Sequence, residues 1–416
     1  MRCIIRYLFV GLCMAGGVAA QTVFTWQQVV DKFRSANPNL RAGELNIQES
    51  KAAEITAYLR PNPNFTFLMD QLQPFNGNPY RPFGFALPLI SIDYLHERQH
   101  KRELRLESAR AGTSIAESQQ EDLERTLLFN LRAAFVQVLQ AKALLATAKE
   151  NLDYFDKELA INRSRFLAGD IARVDLDRIL LQRVQYESDY QGALVNLRTA
   201  KITLLMLVND RTPVDRFDVA GPFGFKERIL PLDEFHTEAL AARPDLKAAI
   251  LAVEKAGTDH KLAVANGSTD PTFAADFGRN PPIPVYMGVS VNIPLRIFDR
   301  NQGEKTRTQI DIAHAERQKA AAEAQVFSDV DSSYYTLVSS MSLLSPYTAK
   351  DGYLETATRI RDTMSFSYQR GQAALVDYLD AQRDYRATEV AYINLVAAYL
   401  TAAGQLNMAV GREVIQ

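Results

Sequence analysis

The residues with the clearest metal-binding potential are two histidines, His96 and His100, which stand four positions apart. On a helix this spacing would place both imidazole rings on one face, where they could bind a zinc ion. The surrounding sequence, YLHERQHKREL, contains no cysteine and no second ligand pair, and it is typical of a solvated charged face. We therefore expect no metal site. No Ser-His-Asp order, nucleotide-binding loop or paired-carboxylate pocket stands out, so we expect neither a cofactor nor an enzymatic activity.

Two carboxylates, Asp377 and Asp380, stand three positions apart on a predicted helix, so both side chains share one face. If that face lined a pore in a symmetric assembly, the carboxylates of several copies would meet in one constriction. Such a ring would repel anions, attract cations and raise the pKa of some of its members through like-charge crowding. The alternative is a pair of solvated acids on an exposed helix, and the sequence leaves both interpretations open.

Two stretches repeat one short pattern: RFLAGDIARVDLD at 165–177 and SYQRGQAALVDYLDAQ at 367–382. Each has an aromatic residue, a glycine three positions later, and a Val-Asp pair five positions after the glycine. Because glycine suits the left-handed backbone that ends a helix, we predict that both stretches are hairpin tips. The aromatic residues and glycines are Phe166 and Gly169 in the first tip, and Tyr368 and Gly371 in the second.

The amino terminus has the pattern of a secretory signal peptide. Two arginines precede an apolar run that is too short to span a bilayer, so we predict a signal peptide over 1–20, cleaved after Ala20. Both cysteines of the chain lie inside it, so the mature protein would form no disulfide. Leu12 precedes Cys13 where a lipoprotein signal has a small residue, and we do not expect lipidation.

The remainder of the chain indicates a globular protein dominated by long helices. The 416 residues are 47% hydrophobic and 23% charged, and the net charge of -2 gives no basic footprint for nucleic acid. From Leu95 to Leu167 there is no proline and one glycine. Apolar residues recur at steps of three and four along the predicted helices, which is typical of coiled-coil pairs.

Short segments recur in the same order in the two halves, as NPNL (37–40) with RPDL (243–246) and FALPL (85–89) with VNIPL (291–295) illustrate. This long period predicts a duplicated unit. We predict a first repeat over 21–210 with strands at about 63–71 and 82–90 and long helices at about 95–167 and 171–208; an equatorial connecting segment over 211–242; a second repeat over 243–412 with strands at about 271–278 and 285–294 and long helices at about 302–367 and 373–409; and a tail over 413–416.

The predicted strands alternate between apolar and small or polar residues, most strictly in VYMGVSVNI at 285–293. This pattern suits an outer-membrane barrel strand, and it also suits an amphipathic sheet on a soluble core. Four strands cannot close on themselves, and lipid does not tolerate open sheet edges. A barrel would therefore need several chains: two would supply eight strands, and three would supply twelve, enough for an open conduit.

The signal peptide, the duplicated unit, the two strand hairpins, the long helices and the paired tips together resemble the TolC family of outer-membrane efflux proteins. The likeness is greatest to its heavy-metal branch of CzcC- and CusC-like proteins, although a multidrug branch stays open. The resemblance implies a mainly α fold with β, in which a homotrimer forms a twelve-stranded outer-membrane barrel and a periplasmic helical barrel. It also implies a periplasmic adaptor, an inner-membrane pump and outer-membrane lipid as partners.

The resemblance further implies roles for the tips and the residues after them. Gly169, Gly371, Phe166, Val174 and Leu375 would form an adaptor-docking surface, together with the tip aromatic Tyr368.

A gate at the channel entrance is implied as well, formed by Asp377, Asp380, Asp175 and Tyr368, with Tyr368 bonded to Asp175 of the neighbouring hairpin. Ala373 replaces the arginine that the family has in its lock, so Arg370 or Arg173 could take that role.

Two classes of function remain open at this point. The first is a passive trimeric duct that carries small solutes, metal ions or drugs, from an inner-membrane pump to the exterior. The second is a soluble periplasmic coiled-coil adaptor or scaffold whose strands never enter lipid. The sequence favours the duct, because adaptors usually carry one helical hairpin between β-rich domains, and it does not identify the cargo.

Overall fold

The structure, a computed structural model, describes residues 22–75, 79–225 and 230–415. The predicted signal peptide, 1–20, lies outside these ranges. Within them the chain is mostly helical, with one four-stranded sheet and one two-stranded sheet. The predicted class, mainly α with β, is confirmed at this level.

Long helices account for most of the described chain. The helices are α1 (Trp26–Ala36), α2 (Pro38–Tyr58), α3 (Lys101–Ala168), α4 (Arg173–Leu207), α5 (Leu232–Ala242), α6 (Pro244–Asn266), α7 (Gln302–Thr348), α8 (Tyr353–Gln369) and α9 (Leu375–Val410). The strands are β1 (Thr22–Phe24), β2 (Asn64–Asp70), β3 (Leu87–Leu95), β4 (Phe217–Val219), β5 (Thr272–Asn280) and β6 (Ile283–Asn292).

Strand β3 begins later than the predicted 82–90. The residues before it form a turn, in which the Gly84 N–H donates to the Arg81 carbonyl at 2.9 Å. Pro82 follows Arg81, and its fixed φ suits this place in a turn, so the extended strand starts only after it. The strand then continues to Leu95, because β5 pairs with it that far, and the helix after it starts later than predicted as well.

The single long helix predicted over 302–367 is divided into α7 and α8. Pro346 lies in the last turn of α7, where its missing N–H removes a helical hydrogen bond. Gly352 follows the break, and a Cβ there would lie 2.7 Å from the carbonyl oxygens of Pro346 and Ala349. Proline and glycine therefore end the helix together, because only glycine allows the backbone to approach those carbonyls.

The described residues form two compact units, each built from three chain segments. The first comprises Met1–Asn37, Asn130–Glu227 and Ser339–Thr401, as far as these are described, and it contains both helical tips. The second comprises Pro38–Phe129, Arg228–Val338 and Ala402–Gln416, with the same restriction, and it contains the four-stranded sheet. Each unit takes parts of both predicted repeats, because the long helices contribute to both units.

A buried lysine and a short parallel sheet stabilise the first unit. Strand β1 pairs with β4 in parallel, and the rings of Phe24 and Phe217 lie 5.5 Å apart. The buried Lys201 donates to the Phe217 carbonyl at 2.8 Å, and Lys142 donates to Asp218 at 2.6 Å. These contacts connect the start of the described chain to the segment that follows α4.

Each predicted repeat contains a junction of the same geometry. In each, the side chain of the residue before a proline donates a hydrogen bond to a main-chain carbonyl of the last long helix of that repeat. Asn37 has φ -69° and ψ 122°, and Arg243 has φ -71° and ψ 121°. The proline after each favours this extended backbone and begins the next helix. Asn37 Nδ2 donates to the Leu207 carbonyl at 3.0 Å, and Arg243 Nη1 donates to the Ala409 carbonyl at 3.2 Å.

Candidate functional site: the helical tips and the four-stranded sheet

The first tip ends α3 with a glycine in the left-handed region. Gly169 has φ 83°, and its N–H donates to the Phe166 carbonyl at 3.0 Å. The next N–H, of Asp170, donates to the Arg165 carbonyl at 2.9 Å. This pair of bonds is the Schellman arrangement, which satisfies two carbonyls that the helix end would leave unpaired.

The second tip ends α8 in the same way. Gly371 has φ 71°, its N–H donates to the Tyr368 carbonyl at 3.0 Å, and the Gln372 N–H donates to the Ser367 carbonyl at 2.8 Å. A Cβ on either tip glycine would meet no atom within 4 Å. The glycines at the two tips are therefore required by the backbone φ and not by lack of space.

Below the tips, side chains of α3, α4, α8 and α9 pack into one apolar core, here called the tip cluster. Tyr368 and Tyr378 stack at its centre, with ring centroids 4.9 Å apart and planes 11° apart. Phe155 and Tyr186 lie 4.7 Å apart beside them. The buried members are Phe155, Leu159, Leu176, Ile179, Tyr186, Tyr368, Leu375 and Tyr378.

A row of polar side chains on α3 crosses the tip cluster and contacts α8 and α9. The Tyr154 hydroxyl lies 3.0 Å from Ser365 Oγ, and Gln382 Nε2 donates to that hydroxyl at 3.2 Å. Further along α3, Asn162 is 1% exposed and its Oδ1 accepts from the Tyr368 hydroxyl at 2.9 Å. Polar bonds therefore connect the α3–α4 hairpin to the α8–α9 hairpin.

The carboxyl group of Glu158 lies in the middle of this row and is buried. Gln369 Nε2 donates to Glu158 Oε1 at 3.2 Å, and burial raises the pKa of the Glu158 carboxyl. Glu158 and Asn162 are not among the residues that the sequence predicts for the site. The available signal was their place on the apolar stripe of α3, since Glu158 stands between Phe155 and Leu159.

The predicted bond between Tyr368 and Asp175 is wrong within this chain. The Tyr368 ring is held in its stack on Tyr378, and from there its hydroxyl donates to Asn162. Asp175 is partly exposed in the first turn of α4.

The two predicted pore carboxylates differ in their surroundings. Asp377 is exposed in the first turn of α9, and Asp380 Oδ1 lies 3.1 Å from a guanidinium nitrogen of Arg383. Of the two alternative lock residues, Arg370 lies over the Phe366 ring at 4.3 Å, and Arg173 bonds to an aspartate one turn along its own helix.

The predicted docking surface requires one correction, because Leu375 is buried in the tip cluster. Its neighbour Val376 is 51% exposed, and Val174, the matching residue of the first tip, is 57% exposed. Phe166 is partly buried against the cluster, and Leu167 beside it is 85% exposed. The repeat pattern itself pairs Val174 with the valine at 376, and this signal could have excluded Leu375.

The four-stranded sheet is antiparallel in the order β2-β3-β5-β6, and its two faces differ in chemistry. Residues directly opposite each other share a face, and successive residues alternate. One face, here called the apolar face, carries aromatic and aliphatic side chains at every paired position across the four strands. These residues are Phe65, Phe67, Met69, Pro88, Ile90, Ile92, Tyr94, Phe273, Ala275, Phe277, Met287, Val289 and Val291.

The opposite face, here called the polar face, combines leucines and small residues with polar side chains. Its polar members are Asn64, Thr66, Asp70, Ser91, Asp93, Thr272, Asp276, Tyr286, Ser290 and Asn292. The apolar face is not covered by the described chain, since Val289 is 90% and Met287 is 84% exposed. Strands β2 and β6 are the outer strands, each paired on one side among the described residues.

The two histidines at helical spacing lie near the end of β3. The His96 ring meets the edge of the Phe273 ring at 6.4 Å, and His100 Nδ1 lies 3.9 Å from a Glu103 oxygen. Across the described ranges, no group of three His, Cys, Asp or Glu side chains could hold a metal ion. One described helix, α9, is long and apolar enough to cross a membrane, but half of the relevant window is buried in the fold, which makes this weak support.

Comparison with known proteins gives a consistent result. Residues 236–412 match the family model described as "Outer membrane efflux protein". Over 400 residues the chain is 22% identical to the cobalt-zinc-cadmium resistance protein CzcC of Cupriavidus metallidurans, covering 93% of this chain and 90% of that protein. It is 21% identical over 402 residues to the outer membrane protein TolC of Escherichia coli, covering 90% and 79%. The fold is similar to a crystal structure of CusC, with a TM-score of 0.78 at 17% identity over 93% of this chain and 92% of that one. Over most of its length the chain is therefore similar to outer membrane efflux proteins, and its second half matches the model of that family.

Proposed function

We propose that the protein is the outer-membrane channel of a tripartite efflux system, a passive duct formed by three copies of the chain. It receives small solutes, metal ions or drugs, from an inner-membrane pump and a periplasmic adaptor, and it performs no covalent chemistry. The names of its relatives, a metal-resistance protein and outer-membrane proteins, support this role.

The observation that carries the proposal is the two-faced sheet. An exposed face made only of apolar side chains over four strands has no place in water, and it matches the outer surface of a membrane barrel. The polar face then lines the interior. A soluble adaptor, the alternative, would leave residues such as Val289 and Met287 in water, at 90% and 84% exposure.

The unpaired outer edges of β2 and β6 support assembly from several copies. Inside a bilayer each free N–H and C=O on an edge would cost several kcal/mol, so the edges must pair with other strands. Four strands per chain become twelve in a trimer, and twelve strands leave room for a lumen. Helix α4 offers a surface for contact with another copy of the chain. On it Val174, Leu181, Val195 and Ile202 are exposed and recur at multiples of seven residues, which is the spacing of a coiled-coil seam.

The tips are proposed as the docking surface for the adaptor. Leu167 and Val174 at the first tip and Phe366 and Val376 at the second expose apolar surface beside a rigid Schellman turn. Three chains would present six such tips of nearly equal geometry. This arrangement fits a ring of repeated helical hairpins on a partner, since apolar anchors on rigid elements are the usual basis of such contacts.

The gate is proposed to lie beside the tips. Asp377 and Asp380 follow the second tip, and in a trimer their carboxylates would form the narrow, cation-attracting ring described from the sequence. Tyr368 contributes to closure through its buried bond to Asn162, which holds the two hairpins of one chain together.

A pair of neighbouring substitutions tests the orientation of the sheet and with it the function. Val289→Arg places a charge on the apolar face, and we expect it to abolish accumulation of outer-membrane trimer, because arginine near the middle of the bilayer costs about 2–4 kcal/mol. Ser290→Arg, the matched control on the polar face, should still yield a heat-modifiable trimer that conducts in planar bilayers. The assays are membrane fractionation, detergent extraction and single-channel recording.

The soluble alternative makes the opposite prediction for this pair. If the apolar face were merely solvent-exposed, Val289→Arg would give a well-folded protein in the soluble fraction. That outcome, or a wild-type protein that is extracted by salt as a monomer, would refute the channel.

A further inference from the structure

The buried carboxyl group of Glu158 has no role in the function proposed above. Glu158 is 5% exposed, and its Oε1 accepts a hydrogen bond from Gln369 at 3.2 Å. Its Oε2 has no hydrogen-bond partner among the described residues, and the same holds for the hydroxyl of Tyr378, which is 1% exposed. An ionised carboxylate in such a place is costly unless it is fully hydrogen-bonded.

The groups that face Glu158 come from three helices. Tyr154 and Arg165 lie on α3 itself, Gln369 on α8 and Tyr378 on α9. Burial is the largest influence on the carboxyl and raises its pKa, while the hydrogen bond from Gln369 and the charge of Arg165 oppose this without cancelling it.

Among the described residues, Arg165 supplies the positive charge that acts on Glu158. The Arg165 guanidinium lies over the Tyr368 ring at 5.2 Å, and Tyr368 in turn faces Asp175 and Glu158. Helix α4 contributes apolar members of the tip cluster, among them Ile179. The carboxyl therefore lies at the contact between two hairpins in a largely apolar setting.

We propose that Glu158 is a proton-binding latch between the α3–α4 hairpin and the α8–α9 hairpin, which packs closed when the carboxyl is protonated and loosens when it is ionised. The latch rests on the proposed function in one respect only, namely that separating the hairpins widens the channel entrance.

The sign of the pH dependence follows from linkage. Because the carboxyl binds its proton more tightly when the hairpins are packed, acid favours the packed state. As pH rises from the ordinary glutamate value of about 4.3 to the raised value of the packed state, the ratio of packed to loosened hairpins falls by at most about tenfold per pH unit. At higher pH the ratio no longer changes.

Infrared titration of the purified protein measures the protonation directly. We expect the carbonyl stretch of a protonated carboxyl to persist above the pH at which exposed glutamates ionise, and to disappear in Glu158→Gln. Asp153→Asn changes an exposed acid on the same helix and is the matched control, which should keep the band. Absence of such a band in the wild-type protein, or its persistence in Glu158→Gln, would overturn the proposal.

Spin-label distances test the latch itself. Leu167→Cys and Val376→Cys place one exposed label on each hairpin, and both cysteines of the natural chain lie in the predicted signal peptide. Labelled chains are assembled with an excess of unlabelled ones, so that only distances within a chain are read. The distance should increase with pH in the wild-type background and stay short at every pH with Glu158→Gln. An unchanged pH profile in that variant would contradict the latch.

A second variant covers the case in which Glu158→Gln does not fold. Gln369 is exposed, so Gln369→Ala should fold, and loss of its donated bond should move the midpoint of both titrations to higher pH. An unshifted midpoint counts against the proposal. Neither readout needs cargo or a membrane potential, so a protein that fails to conduct contradicts the duct and not the latch.

Discussion

Replacing the tip glycine Gly169 by alanine isolates the energy of one backbone angle. Gly169 has φ 83°, and a Cβ there would meet nothing within 4 Å, so the substitution creates no clash and removes no contact. The cost is that of holding an alanine in the left-handed region, about 1–2 kcal/mol. This cost should appear as local opening of the tip, because only the turn depends on that angle.

Gly192 provides the matched control for this prediction. It lies inside α4, and a Cβ there would also meet nothing within 4 Å. Here Gly→Ala should stabilise the helix by about 0.5–1 kcal/mol, because glycine is a poor residue in a helix interior. The same chemical change is therefore expected to have opposite signs at Gly169 and Gly192.

Hydrogen exchange measured by mass spectrometry on the purified protein checks both signs. The amide of Asp170, which bonds to the Arg165 carbonyl, should exchange about 5–30 times faster in Gly169→Ala, the factor that corresponds to one or two kcal/mol. Gly169→Asn should fall between alanine and the wild type, since asparagine tolerates this conformation better. Equal exchange rates at the tip in Gly169→Ala and the wild type would refute the role assigned to φ.

Three further predictions concern the junctions, the tip cluster and the gate. Arg243→Ala should lower the free energy of unfolding by on the order of 3 kcal/mol, the lower end for a broken buried pair because both carboxylate partners are about one-third exposed. Asn37→Ala, which removes the neutral hydrogen bond to the Leu207 carbonyl, should lower the free energy of unfolding by about 1 kcal/mol in the same denaturant titration. Tyr378→Phe should not destabilise the protein, because the hydroxyl has no partner among the described residues, and a lower denaturation midpoint would contradict this. Asp377→Ala combined with Asp380→Ala should weaken cation selectivity in planar bilayers, whereas unchanged reversal potentials would remove both from the pore.

The features that could be predicted from the sequence depend on local patterns. The tips were predictable because Gly169 and Gly371 are the residues that a left-handed helix end requires. The two faces of the sheet were predictable because the alternation of side chains along one strand does not depend on the neighbouring strands. The pairing register only determines which residues of adjacent strands lie opposite each other.

The features that could not be predicted depend on how helices are rotated against one another. The repeat pattern matches Val376 with Val174, but it does not show that Leu375 is buried, because that depends on how α9 packs in the tip cluster. Likewise, the place of Glu158 on the apolar stripe of α3 does not show which partners bury it. Its burial follows from contacts with α8 and α9.

The bare apolar face of the sheet has a consequence for how the protein reaches its final state. On the proposed assembly, a single chain in the periplasm has no way to hide thirteen aligned apolar positions or two open strand edges. Strand pairing, membrane entry and association of three copies then become one coupled step, and the final state is stabilised by mass action. Its apparent stability depends on the concentration of chains in the membrane, and dilution in detergent should slow recovery of the trimer far more than it slows folding of the helices. A chain delivered faster than it finds its partners is at risk of aggregation through its free edges.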